Sequence, residues 1–324
     1  MKLLLAPMEG LADALLRELL CGVGGYDWAV SEFARVTGTD LPDRFFCRIS
    51  PELETSGCTA CGTPVRVQLL GSDPARMGEN AARLARLRPA GIDLNFGCPA
   101  PTVNRHRGGA VLLDEPELLH RIACAVRARV PRGLPLTAKM RLGVRDPSLA
   151  VACAQALADG GVEGLVIHAR TKLEGYRPPA HWSWVGRVAS ELKIPVVANG
   201  EVWSEADWRR CVAESGVRDV MLGRGAVGDP FLARRIRNGE AFDARRDWPE
   251  LAALLGEFWA RVQLRVAPRH APGRLKQWLN LLRKRYPDAA HLFEAVRALK
   301  EVARIDRVFA DAGVVSPRVA ARAA

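Results

Sequence analysis

The chain has 324 residues, 48% hydrophobic and 26% charged, which are the proportions of a globular protein rather than a disordered or fibrous one. Lys and Arg number 47 against 36 Asp and Glu, which gives a net charge of +11. No apolar run approaches the roughly 20 residues of a membrane-spanning helix, and Glu9 interrupts the N-terminal apolar run too early for a signal peptide. We therefore expect a soluble, cytoplasmic protein.

The eight cysteines are scattered along the chain, which is typical of a reducing compartment rather than of a secreted disulfide scaffold. Cys58 and Cys61 form a C-x-x-C pair, but no second pair follows at the spacing of a zinc site. We expect no metal site and assign this pair no role.

Residues 1–240 alternate short apolar runs with amphipathic stretches. Eight runs are predicted as strands, at 3–7, 29–33, 65–69, 92–95, 136–141, 165–168, 196–199 and 220–223. Helices are predicted between them, including 11–20, 73–87, 115–129, 148–159 and 205–215. This alternation requires a parallel sheet, which could be an open doubly wound sheet or a closed barrel. The count of eight favours an α/β fold of the (β/α)8 TIM-barrel type over residues 1–242.

After Trp248 the pattern contains helices only, predicted at 251–266, 274–286 and 289–305 with a shorter tail, so residues 243–324 are predicted to form an all-α domain. The last 84 residues carry 16 Lys and Arg against 9 Asp and Glu, a surplus of +7. In the second of these helices, Leu275, Trp278 and Leu282 form an apolar face, and the charged residues opposite are all Lys or Arg. A solvated surface is the alternative, but the asymmetry favours a polyanionic partner such as nucleic acid.

Polar side chains recur at the ends of the predicted strands, which is where a barrel builds its active site. The set comprises Glu9, Glu32, Gln68, Asn95, Lys139, Arg141, His168, Arg170, Asn199 and Arg224. Any single member could be structural, because buried polar groups also serve packing. Their recurrence at strand after strand predicts a functional site.

Cys98 lies just past the fourth predicted strand, between Gly97 and Pro99, on what should be a stiff exposed loop. A thiol acts as a nucleophile only as the thiolate, whereas a thiol with a pKa near or above neutral can act as a general acid. No histidine lies within a helical turn of Cys98, although His168 could approach it in space. Inert burial is the alternative for a lone cysteine, and the loop position favours chemistry.

Lys139 and Arg141 are two residues apart on one predicted strand and therefore face the same side. Two cations in a barrel mouth need an anion or an electron-rich ring, such as a flavin, or else a salt bridge with Glu9, Glu32 or Glu201.

The last two predicted strands end in glycine-containing turns, A-N-G-E at 198–201 and G-R-G-A at 223–226. In barrels the loops after strands seven and eight often bind phosphate through backbone N–H groups and a cation. The pair of turns is compatible with the phosphate of a flavin.

Seven motifs in combination resemble the tRNA-dihydrouridine synthases. They are A-P-M-E-G at 6–10, V-Q-L-L-G at 67–71, D-L-N-F-G-C-P at 93–99, K-M-R-L-G at 139–143, H-A-R-T at 168–171, A-N-G-E-V at 198–202 and G-R-G-A at 223–226. The first motif and R-L-K-Q-W-L-N-L-L-R-K at 274–284 look like the bacterial C subfamily. Two residues depart from the family: Ala169 replaces a usual glycine, and Pro101 replaces a frequent lysine, which weakens the tRNA detail.

This resemblance implies an FMN-bearing barrel followed by a helical tRNA-binding domain. It implies a flavin ring lined by Pro7, Met8, Glu9 and Gln68, contacted and polarised by Lys139 and His168. The implied ribityl and phosphate site comprises Asn199, Gly200, Glu201, Gly223 and Arg224. The implied proton donor is Cys98, and the implied uracil site comprises Asn95, Arg141 and Tyr176. The implied tRNA-orienting residues are Arg35, Arg274, Lys276 and Arg297.

The implied reaction begins with reduction of FMN by NADPH. The reduced flavin passes hydride to C6 of a flipped uridine, at position 16 of the tRNA D-loop for the C subfamily, and Cys98 protonates C5. A monomer is the family expectation. The alternatives are an FMN barrel that reduces a free pyrimidine or enone, like the dihydropyrimidine or dihydroorotate dehydrogenases, and a non-catalytic RNA-binding protein on a dead barrel.

Overall fold

The computed structural model describes residues 1–314, which divide into two compact units. The first contains Met1–Ala14 and Tyr26–Gly223, and the second contains Leu15–Gly25 and the chain from Arg224 onward.

The first unit is built around eight parallel strands that close into a barrel, so the predicted (β/α)8 fold is confirmed. The ring closes where β1 pairs with β8, for example at Leu4 and Met221. The strands are β1 Leu3–Leu5, β2 Trp28–Arg35, β3 Val65–Leu70, β4 Ile92–Phe96, β5 Leu136–Arg141, β6 Leu165–His168, β7 Val196–Asn199 and β8 Val220–Leu222.

Fourteen α-helices lie within residues 1–314, and two 3-10 helices (Pro51–Thr55 and Gly109–Asp114) accompany them. Those whose residues lie in the first unit are α2 Asp43–Ile49, α3 Pro74–Arg86, α4 Pro101–Asn104, α5 Pro116–Arg129, α6 Ala150–Asp159, α7 Trp182–Ser190 and α8 Glu205–Ser215. The others are α1 Ala14–Val23, α9 Arg224–Gly228, α10 Leu232–Asn238, α11 Ala244–Arg265, α12 Ala271–Leu282, α13 Pro287–Val296 and α14 Val302–Asp311. None of the helices in this part of the chain is long and apolar enough to cross a membrane.

Local signals in the sequence set several helix boundaries. The Asp73 side chain accepts the N–H of Arg76 at 2.8 Å and caps α3, and the Ser204 hydroxyl accepts the N–H of Asp207 at 3.1 Å and caps α8. Gly216 ends α8 with a left-handed φ of 68°. These residues mark the start of α3 and both ends of α8.

A layer of apolar side chains fills the barrel interior. It contains Leu4, Ala6, Val30, Val166, Val197 and Met221, with Trp28 packed against it. The Arg66 guanidinium lies 4.2 Å from the centre of the Trp28 ring. Except for Ala6, the members of this layer lie before the last residue of their strands, which leaves the carboxyl ends of those strands for polar groups.

The predicted boundary between residues 242 and 243 differs from the division seen in the structure, which falls after Gly223. The segments that follow β8 pack with the later helices. The Trp278 indole donates to the Val227 carbonyl at 3.0 Å, and Tyr286 donates to Asp229 at 2.9 Å. Long-range contacts of this kind have no signature in the local hydrophobic period.

Residues 15–25 also belong to the second unit, which the sequence did not predict. Arg237 donates to the carbonyl of Gly25 at 2.9 Å. A Cβ on Gly25 would lie 2.7 Å from the backbone of Ala233, so the two segments are in van der Waals contact. The end of α1 is thereby held against α10.

The single helix predicted at 289–305 is wrong, because the structure has two helices, α13 and α14, with a break between them. The Lys276 ammonium donates to the carbonyl of Leu299 within the break. In a continuing helix this carbonyl would instead accept a backbone N–H from the next turn. No Gly or Pro marks this break in the sequence. The predicted tail extends into residues 315–324, which lie outside the described part of the chain.

Candidate active site

The predicted site residues of the first unit lie at the carboxyl ends of neighbouring strands. Register pairs Asn95 with Lys139, Arg141 with His168, and His168 with Asn199. Because all eight strands run parallel, these side chains meet at one mouth of the barrel.

The turn after β1 belongs to the same mouth. Pro7, Met8 and Glu9 follow Ala6, whose N–H donates to the β8 residue Leu222 at 2.9 Å. The carbonyl of Met8 accepts two N–H groups from the residues that follow and closes the turn. Partial burial and the Glu32 carboxylate raise the pKa of Glu9 to about 7.

The loop that carries Cys98 is held by hydrogen bonds on both sides. The N–H of Cys98 donates to Asn95 Oδ1 at 3.0 Å, and its carbonyl accepts from Asn104 Nδ2 at 3.0 Å and from the N–H of Ala110 at 3.0 Å. Gly109 has a φ of 68°, and a Cβ there would lie 2.6 Å from the Cys98 carbonyl oxygen. The thiol therefore sits on a rigid loop rather than a flexible one.

The Cys98 thiol is partly buried, and this burial raises its pKa above the ordinary cysteine value. The Glu9 carboxylate raises the pKa further, whereas Arg141 and Arg35 lower it. The thiol is therefore protonated at neutral pH, which suits a proton donor better than a nucleophile.

Lys139 has no ion-pair partner among residues 1–314, although the charge of Asp93 acts on it. Within residues 1–314 its ammonium forms no hydrogen bond or ion pair, so the alternative of a salt bridge to Glu9, Glu32 or Glu201 is wrong. Burial, followed by the charge of Arg141, lowers the pKa of Lys139 to about 8. Such a group favours an anionic or electron-rich ligand in the barrel mouth.

Arg141 is buried, and its guanidinium donates hydrogen bonds to backbone carbonyls. Its Nε donates to the Gly97 carbonyl at 2.8 Å, and Nη1 donates to Thr171 at 3.0 Å and to Gly175 at 2.8 Å. The guanidinium also lies 5.2 Å from the centre of the Tyr176 ring. Arg141 thus braces the Cys98 loop and the loop of residues 171–176, and its predicted contact with uracil stays a prediction.

The buried His168 and the exposed Tyr176 bring two aromatic rings together near the mouth. Their ring centres lie 6.0 Å apart, and Tyr176 is 53% exposed although its ring is large and apolar. Gly200 has a φ of 113°, and a Cβ there would lie 2.8 Å from His168 Cδ2. Only glycine fits beside this imidazole, so the backbone of the turn after β7 lies close to the His168 ring.

The remaining residues of the predicted ribityl and phosphate site have different surroundings in the structure. Asn199 Nδ2 donates to the carbonyl of Met221 at 2.8 Å and links β7 to β8. The Glu201 carboxylate accepts from the buried guanidinium of Arg170, which offsets its negative charge. Gly223 ends the first unit, and Arg224 begins α9 of the second unit.

Four buried polar side chains form a connected chain inside the barrel. Asp93 accepts from Gln68 Nε2 and from Thr137 Oγ1, both at 2.7 Å. Asn95 Nδ2 donates to Gln68 Oε1, also at 2.7 Å. From the sequence, Arg170 was predicted only as one of the polar residues at strand ends, without a partner, and Asp93 was given no role. A charged residue inside an apolar strand motif was the available signal for Asp93.

The residues predicted to orient the tRNA lie in both units and differ from one another in their contacts. They are Arg35 in the first unit and Arg274, Lys276 and Arg297 in the second. Arg35 donates to the Thr102 carbonyl at 3.2 Å and lines a cavity of about 740 Å³ with Arg76 and His106. In the second unit, the Arg274 guanidinium lies 5.0 Å from the centre of the Phe258 ring. The Lys276 ammonium donates to the carbonyl of Leu299, between α13 and α14. Arg297 is exposed at the end of α13, where Glu294 accepts from its Nε at 2.9 Å.

Cys58 and Cys61 lie in a tight turn, where Cys58 pairs with Pro64 in an isolated bridge. The Cys61 sulfur lies 3.1 Å from the Thr59 hydroxyl and 3.3 Å from the Thr63 hydroxyl. Residues 1–314 contain no group of three or more His, Cys, Asp or Glu side chains that could hold a metal ion.

Comparisons with known structures agree with the barrel. A 2-naphthoyl-CoA reductase complex superposes with a TM-score of 0.57 at 12% identity, covering 74% of this chain and 50% of that one. An old yellow enzyme homologue from Zymomonas mobilis superposes with a TM-score of 0.51 at 12% identity, covering 75% and 90%. At such identities the likeness shows the fold alone.

Comparison of sequences is far more specific. A protein of Ralstonia nicotianae named tRNA-dihydrouridine(16) synthase is 56% identical over 305 residues, 94% of each chain. A protein of the same name from Neisseria meningitidis serogroup B is 46% identical over 313 residues, 96% of this chain and 94% of that one. The family model described as dihydrouridine synthase (Dus) matches residues 4–304. The chain therefore belongs to the dihydrouridine synthase family.

Proposed function

We propose that this protein reduces the C5=C6 bond of a uridine in tRNA, at position 16 of the D-loop, to give 5,6-dihydrouridine. The observation that carries the proposal is the partly buried, protonated Cys98 thiol on a rigid loop at the barrel mouth, in a chain of the dihydrouridine synthase family. The position follows from the name shared by relatives that are about half identical over nearly the whole chain.

The barrel mouth fits FMN as the cofactor. The unpaired Lys139 ammonium suits the electron-rich edge of a flavin, and the close backbone of Gly200 beside His168 leaves room that a side chain would fill. When bound, FMN supplies the hydride, and NADPH is the proposed reductant. Pro7, Met8, Glu9 and Gln68 would line the ring, and Asn199, Gly200, Glu201, Gly223 and Arg224 would hold the ribityl and phosphate.

Cys98 completes the reduction as the proton donor. Hydride addition at C6 leaves enolate charge on the uracil, because the C5=C6 bond is conjugated to a carbonyl. The Cys98 S–H bond then breaks and its proton goes to C5, which leaves a thiolate near the Arg141 and Arg35 charges. A solvent proton restores the thiol.

The target base must leave its stack to enter the mouth, which costs a few kcal/mol and requires a grip on the rest of the RNA. Asn95, Arg141 and the exposed Tyr176 ring would hold the uracil and its neighbours. Arg35 in the first unit and Arg274, Lys276 and Arg297 in the second would orient the tRNA. We expect the protein to act as a monomer in the cytoplasm.

The test uses tRNA from cells that lack the position-16 enzyme, incubated with the purified protein, FMN and NADPH and then mapped for dihydrouridine. We expect dihydrouridine at position 16 and at no other uridine. Reduction of free uracil or of an enone without tRNA would favour a small-molecule reductase instead. Protein that binds tRNA but neither binds flavin nor reduces it would favour a non-catalytic RNA-binding role.

A further inference from the structure

The barrel interior holds a carboxylate that the reaction does not use directly. Asp93 is 1% exposed, and both of its oxygens accept hydrogen bonds, from the Gln68 amide and from the Thr137 hydroxyl. Burial raises the pKa of Asp93, and the hydrogen bonds from Gln68 and Thr137 oppose that shift. Both Asp93 oxygens act as acceptors in this arrangement, so the Gln68 amide presents its nitrogen to Asp93. The orientation of Gln68 is therefore set by Asp93.

This orientation propagates to the Cys98 loop. With its nitrogen on Asp93, Gln68 turns its oxygen to Asn95 and accepts from Asn95 Nδ2 at 2.7 Å. Asn95 must then present its own oxygen to the loop, where it accepts the N–H of Gly97 at 2.9 Å and that of Cys98 at 3.0 Å. Each amide has one donor end and one acceptor end, so the first orientation fixes the others.

We propose that Asp93 is a positioning residue that, through Gln68 and Asn95, orients the backbone of the Cys98 loop. The inference deepens the proposed function, on which its importance for proton donation rests. Asp93 does not touch the reacting atoms in this account, because Gln68 and Asn95 stand between it and Cys98. We name this chain of hydrogen bonds through Asp93, Gln68, Asn95 and Cys98 the relay.

A reversed relay gives the sharpest test. In Asn95→Asp, the carboxylate introduced at position 95 and Asp93 both require a donor from the single Gln68 nitrogen, so one link must fail. Adding Asp93→Asn supplies a donor at position 93, and the relay can then run in the opposite direction with every member satisfied. The Gly97 and Cys98 N–H groups keep an acceptor in both directions.

The readout is the rate at which iodoacetamide alkylates the Cys98 thiol in the full-length protein, measured by mass spectrometry without RNA or NADPH. Cys124 is exposed and serves as the reference thiol in the same sample. We expect Asn95→Asp to change the Cys98 rate roughly tenfold and the double variant to return it to within about twofold of wild type. The Cys124 rate should not change.

Two further variants separate the relay from other effects. In a Gln68→Met background, adding Asp93→Asn to Asn95→Asp should not restore the Cys98 rate. If Asn95→Asp acted only through repulsion between the carboxylates at 93 and 95, Asp93→Asn would restore the rate in that background as well. Gln68→Met and Thr137→Val each remove one hydrogen bond from Asp93, but only the first lies within the relay. The Cys98 rate should therefore change in Gln68→Met and stay at the wild-type value in Thr137→Val, a comparison that remains if Asn95→Asp does not fold.

Restoration that persists with Gln68→Met, or an unrestored double variant, would overturn the proposal. So would equal effects of Gln68→Met and Thr137→Val. None of these results depends on whether the protein makes dihydrouridine, so a failed relay and a failed proposed function give different outcomes.

Discussion

Gly109 lies against Cys98 so closely that a Cβ on the glycine would meet the Cys98 carbonyl oxygen at 2.6 Å, in a backbone with a φ of 68°. The contact fixes the loop from the side opposite Asn95, which accepts the Cys98 N–H. Cys98 is thus constrained at both its carbonyl and its amide.

Gly109→Ala should therefore displace the Cys98 loop. We expect a loss of about 1–3 kcal/mol in the free energy of unfolding and at least a tenfold drop in dihydrouridine formation, because a misplaced proton donor is inefficient. Gly216→Ala is the matched control, since Gly216 has the same φ of 68° but nothing within 4 Å of the added Cβ. Equal activity losses in the two variants would show that backbone strain alone, and not contact with Cys98, is responsible.

Lys139 should leave a signature in the dependence of stability on pH. Its pKa in the folded protein is about 8, against an ordinary 10.5, so between these values the unfolded chain binds a proton that the folded chain does not. The flavin-free protein should therefore gain unfolding free energy as pH rises from 8 to 10.5. Urea unfolding of wild type and Lys139→Met should give profiles that diverge in this window, and parallel profiles would contradict the assignment.

A buried ionic cluster should dominate the stability of the second unit. Asp229 accepts from Arg235 Nε at 3.1 Å and from the Tyr286 hydroxyl at 2.9 Å, and Asp247 accepts from Arg235 Nη2 at 2.5 Å. Burial and the Asp229 charge raise the pKa of Tyr286, so its hydroxyl stays a donor. Asp229→Asn should cost about 3–5 kcal/mol, because it leaves Arg235 buried and underpaired.

Glu250 provides the comparison for this cluster. It pairs with the neighbouring Arg234 at 2.8 Å, but its side chain is 52% exposed. Glu250→Gln should therefore cost at most about 1 kcal/mol. Thermal unfolding and hydrogen exchange over α10 to α12 measure the loss of unfolding free energy in both variants. Equal losses would mean that the buried Asp229 pair stabilises the unit no more than the exposed Glu250 pair does.

The proposed tRNA contacts predict a change in salt dependence. Arg274 is partly exposed and Arg297 is exposed in the second unit, and replacing each with Gln should weaken tRNA binding and reduce the slope of log K against log salt by about one per residue. Arg129→Gln, which removes an exposed charge from α5 of the first unit, should leave the slope unchanged. A uniform effect of all three would indicate a general effect of net charge.

The sequence predicted the barrel well because buried parallel strands form short apolar runs between amphipathic helices. Strands β5, β6 and β7 begin and end at the predicted residues. Strand β2 extends past its predicted end to Arg35, and its pairing with β3 shifts register between Val30 and Phe33. Such an irregularity depends on the neighbouring strand and leaves no mark in a local pattern.

The site could be predicted only at the level of residue type and position. The sequence indicated that Cys98 and Lys139 lie at strand ends, because motifs and barrel topology place them there. It did not indicate that Asp93 orients Gln68, or that Arg170 neutralises Glu201, because these pairings join residues 25 and 31 positions apart. Arg141 shows the same limit, since its backbone partners lie on loops from two different strands.

The most direct test of the account is Cys98→Ala, assayed with tRNA that lacks dihydrouridine at position 16. If Cys98 donates the proton, NADPH should still bleach the flavin absorbance at the wild-type rate, while dihydrouridine formation falls by about 100-fold or more, since a general acid contributes that much. Wild-type formation of dihydrouridine in Cys98→Ala would show that another group donates the proton. Loss of both half-reactions would show that Cys98 serves the flavin rather than the uracil.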